Sequence, residues 1–205
     1  MLVLDHIVVA AETLKEGREY VEDLLRVQMQ SGGKHAIMGT HNALLGLEDG
    51  LYLEVISVDP EVARPDRNRW FGLDDFSGPP RLTNWVGRSD DLVSDMRLAF
   101  GKSVLPTELT RGELRWQMSV IDDGQTPFDG IVPMMLDWGQ GPKAADRLKP
   151  SGCRLKKLVL GHPNHTGVAK VFDRLVDKRL VEVECNETPT ITAVLTTPSG
   201  QVVLR

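Results

Sequence analysis

Cysteine is nearly missing: Cys153 and Cys185 are the only two among 205 residues. Far apart and outside any CxxC, they exclude a disulfide framework and a thiol-based metal or redox motif. An excess of basic charge is missing too, with 24 Lys and Arg against 29 Asp and Glu and a formal net charge of -5. Such a balance provides no field for holding nucleic acid or an anionic membrane, and Arg64, Arg67 and Arg69 form the one local basic cluster. No apolar run approaches the ~20 residues of a transmembrane helix, so no membrane partner is expected. A P-loop, GxGxxG, GxSxG and HExxH are all absent, which argues against a nucleotide cofactor and the common hydrolase sites. The chain enters a strand-like run at once without a basic leader, which gives a cytoplasmic expectation.

What is present is an ordinary globular balance, 41% hydrophobic and 26% charged. The chain is organised around residues 39–56, where Glu48-Asp49-Gly50 separates two apolar runs and predicts a hairpin. Its second strand carries Glu54 among Tyr52, Leu53, Val55 and Ile56. An unpaired buried carboxylate is costly, so Glu54 needs a cationic or hydrogen-bonding partner, or a cavity. The distant partner is His6, within the first apolar run Leu2–Val9. Strand alternation places His6 with Leu4 and Val8, and Glu54 with Tyr52 and Ile56, so that both can face one concave surface.

The element order is repetitive. Thr13 with Glu16 makes a capping box, and Leu14, Val21, Leu24 and Leu25 recur at helical spacing. Strands are expected near 34–38, 42–47 and 51–58, giving βαβββ over residues 1–58. Residues 59–81 contain four prolines and read as a linker or covering loop pinned by Trp70 and Phe71. A second unit over 82–140 restarts the pattern, because Leu82–Leu92 can be laid on Leu4–Leu14 without a gap. It has Ser89 as a cap, a helical stripe from Leu92 to Phe100, and strands near 114–121 and 131–138 around an Asp122-Asp123-Gly124 turn. A third, shorter βαβββ-like unit over 153–205 follows, with the amphipathic residues Val168, Val171, Phe172, Leu175 and Val176 and strands near 180–184, 190–196 and 201–204. The three units are expected to pack into one globular domain.

The stretches Leu4-Asp5-His6, Gly39-Thr40-His41-Asn42, Tyr52-Leu53-Glu54, Leu114-Arg115-Trp116 and Pro133–Trp138 resemble the glyoxalase-like branch of the vicinal oxygen chelate superfamily. The resemblance implies an α+β fold in which paired βαβββ modules curve around a cleft. It also implies a divalent metal there that binds two adjacent oxygens of a small organic substrate, and a homodimer. Superfamily members include isomerases, lyases, dioxygenases and drug-resistance proteins, so the fold leaves the reaction open. The ligands come from the first and fourth strands of each module. Carried over by position, they are His6 and Glu54 in the first module; in the second, Asn84 stands where a histidine is expected and Met134 falls opposite Glu54.

Each candidate has a plainer alternative. His6 and Glu54 suit Zn, Fe, Mn or Ni, or else form a buried hydrogen bond that orders the sheet. His41 completes a two-histidine, one-carboxylate set, or is a turn residue beside Asn42. Asp137 is a fourth ligand or general base, or sits at a solvated strand end. Asn42, Asn84, Arg115, Trp116 and Trp138 are expected to line the cleft, although core packing is the usual fate of a strand tryptophan. His162 and His165 flank a proline and read as a helix-capping loop. Two functions follow: a metal-assisted enzyme on a small oxygenated molecule with Glu54 or Asp137 moving the proton, or a non-catalytic small-molecule binding protein with a degenerate metal site.

Overall fold

The computed structural model describes residues 1–101, 105–121, 124 and 126–205, so the Asp122-Asp123 part of the expected turn lies outside the described residues. At its centre is β1 (Val3–Ala10), whose apolar run is buried on both faces. It pairs in parallel with β4 (Tyr52–Val58) and antiparallel with β5 (Arg81–Arg88). The first module adds α1 (Leu14–Leu25), β2 (Gln30–His35) and β3 (Thr40–Leu47); the second adds α2 (Leu92–Phe100), β6 (Thr107–Arg111), β7 (Leu114–Met118) and β8 (Met134–Asp137). Together they make a curved sheet in the order β2-β3-β4-β1-β5-β8-β7-β6, two βαβββ modules joined through their first strands. The α+β architecture is therefore the one expected.

The third unit has the same element order but different wiring. β9 (Pro150–His162), α3 (His165–Leu175) and β10 (Val181–Cys185) form a parallel crossover, and β11 (Thr190–Thr197) then pairs with the other edge of β9, followed by β12 (Gly200–Leu204). In the first two modules the last strand, not the second, lies beside the first. β9 joins the curved sheet at β3, pairing at Gly46 and Leu47 while β2 takes the rest of that edge. The unit is tied to both central strands, with Leu2 N donating to Leu175 O and Leu82 N to Arg205 O.

Two apolar clusters lie on opposite faces of the curved sheet. The convex cluster gathers Ile7, Val9, Leu53 and Val55 with Val21 and Leu25 of α1, Leu92 and Met96 of α2, and Val168, Phe172 and Leu175 of α3. Leu158, Leu160 and Leu195 of the third unit join it, so that this unit covers the convex side. All three helices follow a strand and bury their apolar stripes there, each core side chain contributing about 1.5–3 kcal/mol. The concave cluster holds Val8, Tyr52, Ile56, Trp70, Phe71, Trp116, Met118, Leu136 and Trp138.

Local chemistry explains most of the element boundaries. Thr13 Oγ1 accepts from Glu16 N at 3.2 Å and Asn164 Oδ1 from Gly167 N at 3.1 Å, so the segment holding His162 and His165 is the capping loop expected. At α2 the cap is Asp91, which accepts from Ser94 N, rather than Ser89. Ser89 instead accepts from Asp91 N and donates to Asp95. The strand β6 was not expected, because its Thr-Glu-Leu-Thr-Arg sequence has a single apolar residue facing the core, as suits an edge strand. Among the described residues no helix is long and apolar enough to cross a membrane.

α1 approaches the sheet closely through Gly17, where a Cβ would stand 2.4 Å from Val55 Cγ1 and 2.8 Å from Ala11 Cβ. Gly17→Ala gains about 1 kcal/mol of helix propensity but overpacks the contact by roughly 1–3 kcal/mol. Urea unfolding is therefore expected to show a net loss of about 1 kcal/mol; a stabilised variant would mean that the helix can shift freely.

Candidate functional site

The concave face carries one concentration of buried polar groups, and a bulge builds it. Between the pairs Leu4–Gly87 and His6–Val86, two steps on β1 answer one on β5, leaving Asp5 as the extra residue. The bulge breaks the alternation, so that Leu4 packs in the convex cluster while His6 and Val8 face the concave side. It also lets the adjacent Asp5 and His6 meet: Asp5 Oδ1 lies 2.8 Å from His6 Nδ1. The other oxygen of Asp5 accepts from Trp138 Nε1 at 3.1 Å and Arg88 Nη1 at 3.2 Å. On the far side of the ring, His6 Nε2 stands 3.4 Å from Glu54 Oε2. Tyr52 stacks on the imidazole with ring centroids 4.3 Å apart.

A second bulge orients the rest. β2 loses register with β3 between Ser31 and Lys34, at Gly32-Gly33. Gly33 N there donates to Asn42 Oδ1 at 2.8 Å. A backbone N–H can only donate, so the Asn42 amide is fixed with Nδ2 toward Glu54 Oε1, at 2.5 Å. The same Nδ2 lies 3.5 Å from His35 Nε2, and Arg111 Nη1 lies 3.4 Å from it. Both neighbours are donors, so His35 is neutral with its proton on Nδ1, toward Thr40 Oγ1 at 3.1 Å.

These contacts set the charges. Burial opposes the charge on His6, yet the Asp5 and Glu54 carboxylates hold its pKa above the ordinary histidine value. Burial likewise opposes ionisation of Glu54, but His6, with a hydrogen bond from Asn42, brings it down to about 2. Burial, helped by Arg111, lowers His35 to about 4. The Asp5 carboxyl is held low against its burial by His6, Trp138 and Arg88.

The cavity over this cluster measures about 20 Å³, space for about one water. Its other wall is apolar: Met118 and Leu136 with Trp116 and Trp138 from the second module, and Trp70 and Phe71 from the covering segment. That segment is pinned by Arg69, which is buried and pairs with Asp74, so the basic cluster is partly structural rather than solvated. Phe71 takes a left-handed φ of 58°, a conformation that disfavours bulky side chains.

The structure brings together only part of the expected set. His6, Glu54 and Asn42 converge, and Trp116 and Trp138 line the cavity. His41 does not join them. Along β3, Leu44 lies in the concave cluster and Ala43 and Leu45 in the convex one, so His41 shares the convex parity while Asn42 faces Glu54. The second imidazole is His35 instead. Asn84 is also outside the cavity, its amide lying beside Gly130. Arg115 and Asp137 line a separate groove on the outside of β7, where Asp137 Oδ1 accepts from Gly139 N and caps a turn. Alternation on β7 buries Leu114, Trp116 and Met118 and turns Arg115 away. Asp5, His35 and Arg111 were missed. His35 is revealed only by the register of a bulged strand, and Arg111 only by an unexpected one.

The donor set does not suit a chelated divalent ion. The 3.4 Å between His6 Nε2 and Glu54 Oε2 decides nothing by itself, since two atoms each about 2.1 Å from a tetrahedral ion also stand about 3.4 Å apart. What decides is the remainder of the wall. The second module presents methionine, leucine and tryptophan, the lone pair of His35 faces a guanidinium, and among the described residues no three His, Cys, Asp or Glu side chains are placed to hold one metal ion.

Comparison with known proteins agrees with this architecture. A family model described as glyoxalase-like domain matches residues 4–176. Among solved structures, a hypothetical protein from Staphylococcus aureus is 15% identical, with a TM-score of 0.63 over 93% of this chain and 88% of that one, a likeness of fold. A methylmalonyl-CoA epimerase from Mycobacterium tuberculosis is 19% identical, with a TM-score of 0.46 over 70% of this chain and 91% of that one. A xylose isomerase-like TIM barrel/4-hydroxyphenylpyruvate dioxygenase fusion protein is 17% identical, with a TM-score of 0.46 over 98% of this chain and 31% of that one. No curated protein matches the sequence. Two βαβββ modules joined through their first strands, and a family match over residues 4–176, make the chain a member of the glyoxalase-like domain family.

Proposed function

We propose that this chain is a small-molecule binding member of its family, taking an oxygenated organic ligand without the superfamily's chelated metal ion. The observation that carries this reading is the composition of the cavity: a polar end built from His6, Glu54 and Asn42 against a wall of aromatic and aliphatic side chains. Such a mixture of apolar lining and a few fixed polar groups is what small-ligand sites use for affinity and orientation. Both modules contribute to it, so one copy of the chain supplies the whole lining.

The charges favour binding over proton transfer. A general acid or base works best with a pKa near the operating pH. Glu54 at about 2 and His35 at about 4 are poor bases. His6 has a carboxylate at each ring nitrogen. The roles first considered for Glu54 and Asp137 in moving a proton therefore lack support here, the latter because Asp137 lies in the outer groove.

Elemental analysis of protein purified without an affinity tag and dialysed against excess Zn, Mn, Fe or Ni is the test. Wild type and His6→Ala are expected to hold the same sub-stoichiometric metal, and the divalent ions to leave the unfolding temperature unchanged. A stoichiometric ion that disappears in His6→Ala would restore the metalloenzyme reading.

A further inference from the structure

We infer that the ligand is a carboxylate, and that Arg111 is the residue that reads it, at the point where the buried cavity meets a groove between β2 and β6. The inference rests on the small-molecule reading above and adds the ligand's class, its route and its specificity residue.

Arg111 ends β6, beside the Gly112 turn that returns the chain as β7. Its stem lies across the bulge of β2, so close that a Cβ on Gly33 would come within 3.0 Å of Arg111 Cγ and Cδ. Glycine at this position is what lets the arginine cross between the two outer strands of the curved sheet. The guanidinium then lines both the cavity and an outer groove of about 360 Å³. The groove has Leu44, Leu114 and Leu148 among its lining and Lys34 and Arg147 at its rim. Lys34 is paired with Asp59 and Glu61, and Arg147 with Glu113.

Arg111 has no carboxylate partner among the described residues. Its one polar contact among the described residues is the 3.4 Å approach to the neutral His35 ring, a long and weak use of a group with five donors in a fixed fork. Beside it, the two carboxylates already have partners of their own, Asp5 with His6, Arg88 and the Trp138 indole and Glu54 with His6 and Asn42, and neither pairs with Arg111. A second group also lacks a partner. The indole N–H of Trp70, whose ring lines the cavity, is buried with no acceptor among the described residues. An incoming carboxylate answers the first, accepting two parallel bonds from the Arg111 fork at the mouth of the cavity that the Trp70 ring lines. The body of such an acid would lie in the groove, along a mixed lining of leucines and polar side chains, because the closed cavity admits little more than a water.

The experiment compares hexanoate with hexanamide, the same chain with and without the charge, by saturation-transfer NMR and quenching of tryptophan fluorescence. Wild type is expected to bind the acid at least about ten-fold more tightly than the amide, as a bidentate charge-assisted contact requires. Arg111→Gln should bring the two to equal affinity, and Arg111→Lys, which keeps the charge and loses the fork, should fall between. Arg115→Gln, on the outer face of β7, should behave as wild type, and circular dichroism of each variant checks folding. Equal binding of acid and amide by wild type would overturn the carboxylate assignment while leaving small-molecule binding intact. Acid preference that survives in Arg111→Gln would overturn the role of Arg111. If neither compound binds at millimolar concentration, both the assignment and the binding reading fail.

Discussion

Glu54→Ala is expected to lower the folding free energy by about 3–5 kcal/mol, the usual loss when one partner of a buried ion pair is removed. The variant leaves His6 buried with Asp5 alone and strips Asn42 Nδ2 of its shortest acceptor. Unfolding in guanidinium at neutral pH measures the loss, and a change under about 0.5 kcal/mol, typical of an innocuous surface substitution, would mean the pair is not formed in solution. The pH dependence has a defined sign. The folded pKa of Glu54, about 2, is below its ordinary 4.5. Its contribution is therefore complete above pH 4.5 and is lost as the pH falls toward 2, an acid limb of about 3 kcal/mol that Glu54→Ala should flatten. His6 works in the opposite sense. Its pKa is raised from 6.5, so its contribution is complete below that pH and declines as the pH climbs through the folded value.

Gly32→Ala is expected to cost about 3 kcal/mol, by overpacking and a lost hydrogen bond together. A Cβ at this position would lie 2.0 Å from Asn42 Oδ1 and 2.7 Å from the Asn42 carbonyl oxygen. The second atom belongs to the backbone of β3 and cannot step aside, so the bulge must open and Gly33 N must release Asn42. Asn42 is then free to rotate away from Glu54, and the His35 tautomer loses the contact that helps to define it. Fast amide exchange at Gly33 together with the lowered stability would identify this route. An alanine variant as stable as wild type, with Gly33 still protected, would show that β2 accommodates the methyl.

How much of this was legible beforehand can be judged residue by residue. His6 and Glu54 were paired correctly because an ionisable group inside an apolar strand announces its need for a partner. Parity served for Glu54, where β4 is regular, and failed for Leu4, where the bulge at Asp5 resets it. His41 was singled out because it sits beside the hairpin in sequence, and His35 was not considered. Alternation along β3 in fact turns it to the convex side, and no local signal marks His35 at the end of a bulged edge strand. Arg115 and Asp137 have the right chemistry for a site on the wrong face of β7 and β8.

The sequence by itself therefore determined the repeated strand–helix–strands order, the helices with the capping segments of the first and third, the burial of His6 and Glu54, and the family. All of these rest on short-range patterns, alternation over a few residues or helical period over a dozen. Only the tertiary structure decided which polar groups share the cavity, because two bulges, at Asp5 and at Gly32-Gly33, change the direction of side chains through pairing with strands distant in the chain. It also decided the wiring of the third unit, in which the same element order pairs differently. Arg111 reaches His35 only because the outer strands of the two modules come together, a long-range closure that a one-dimensional pattern does not contain.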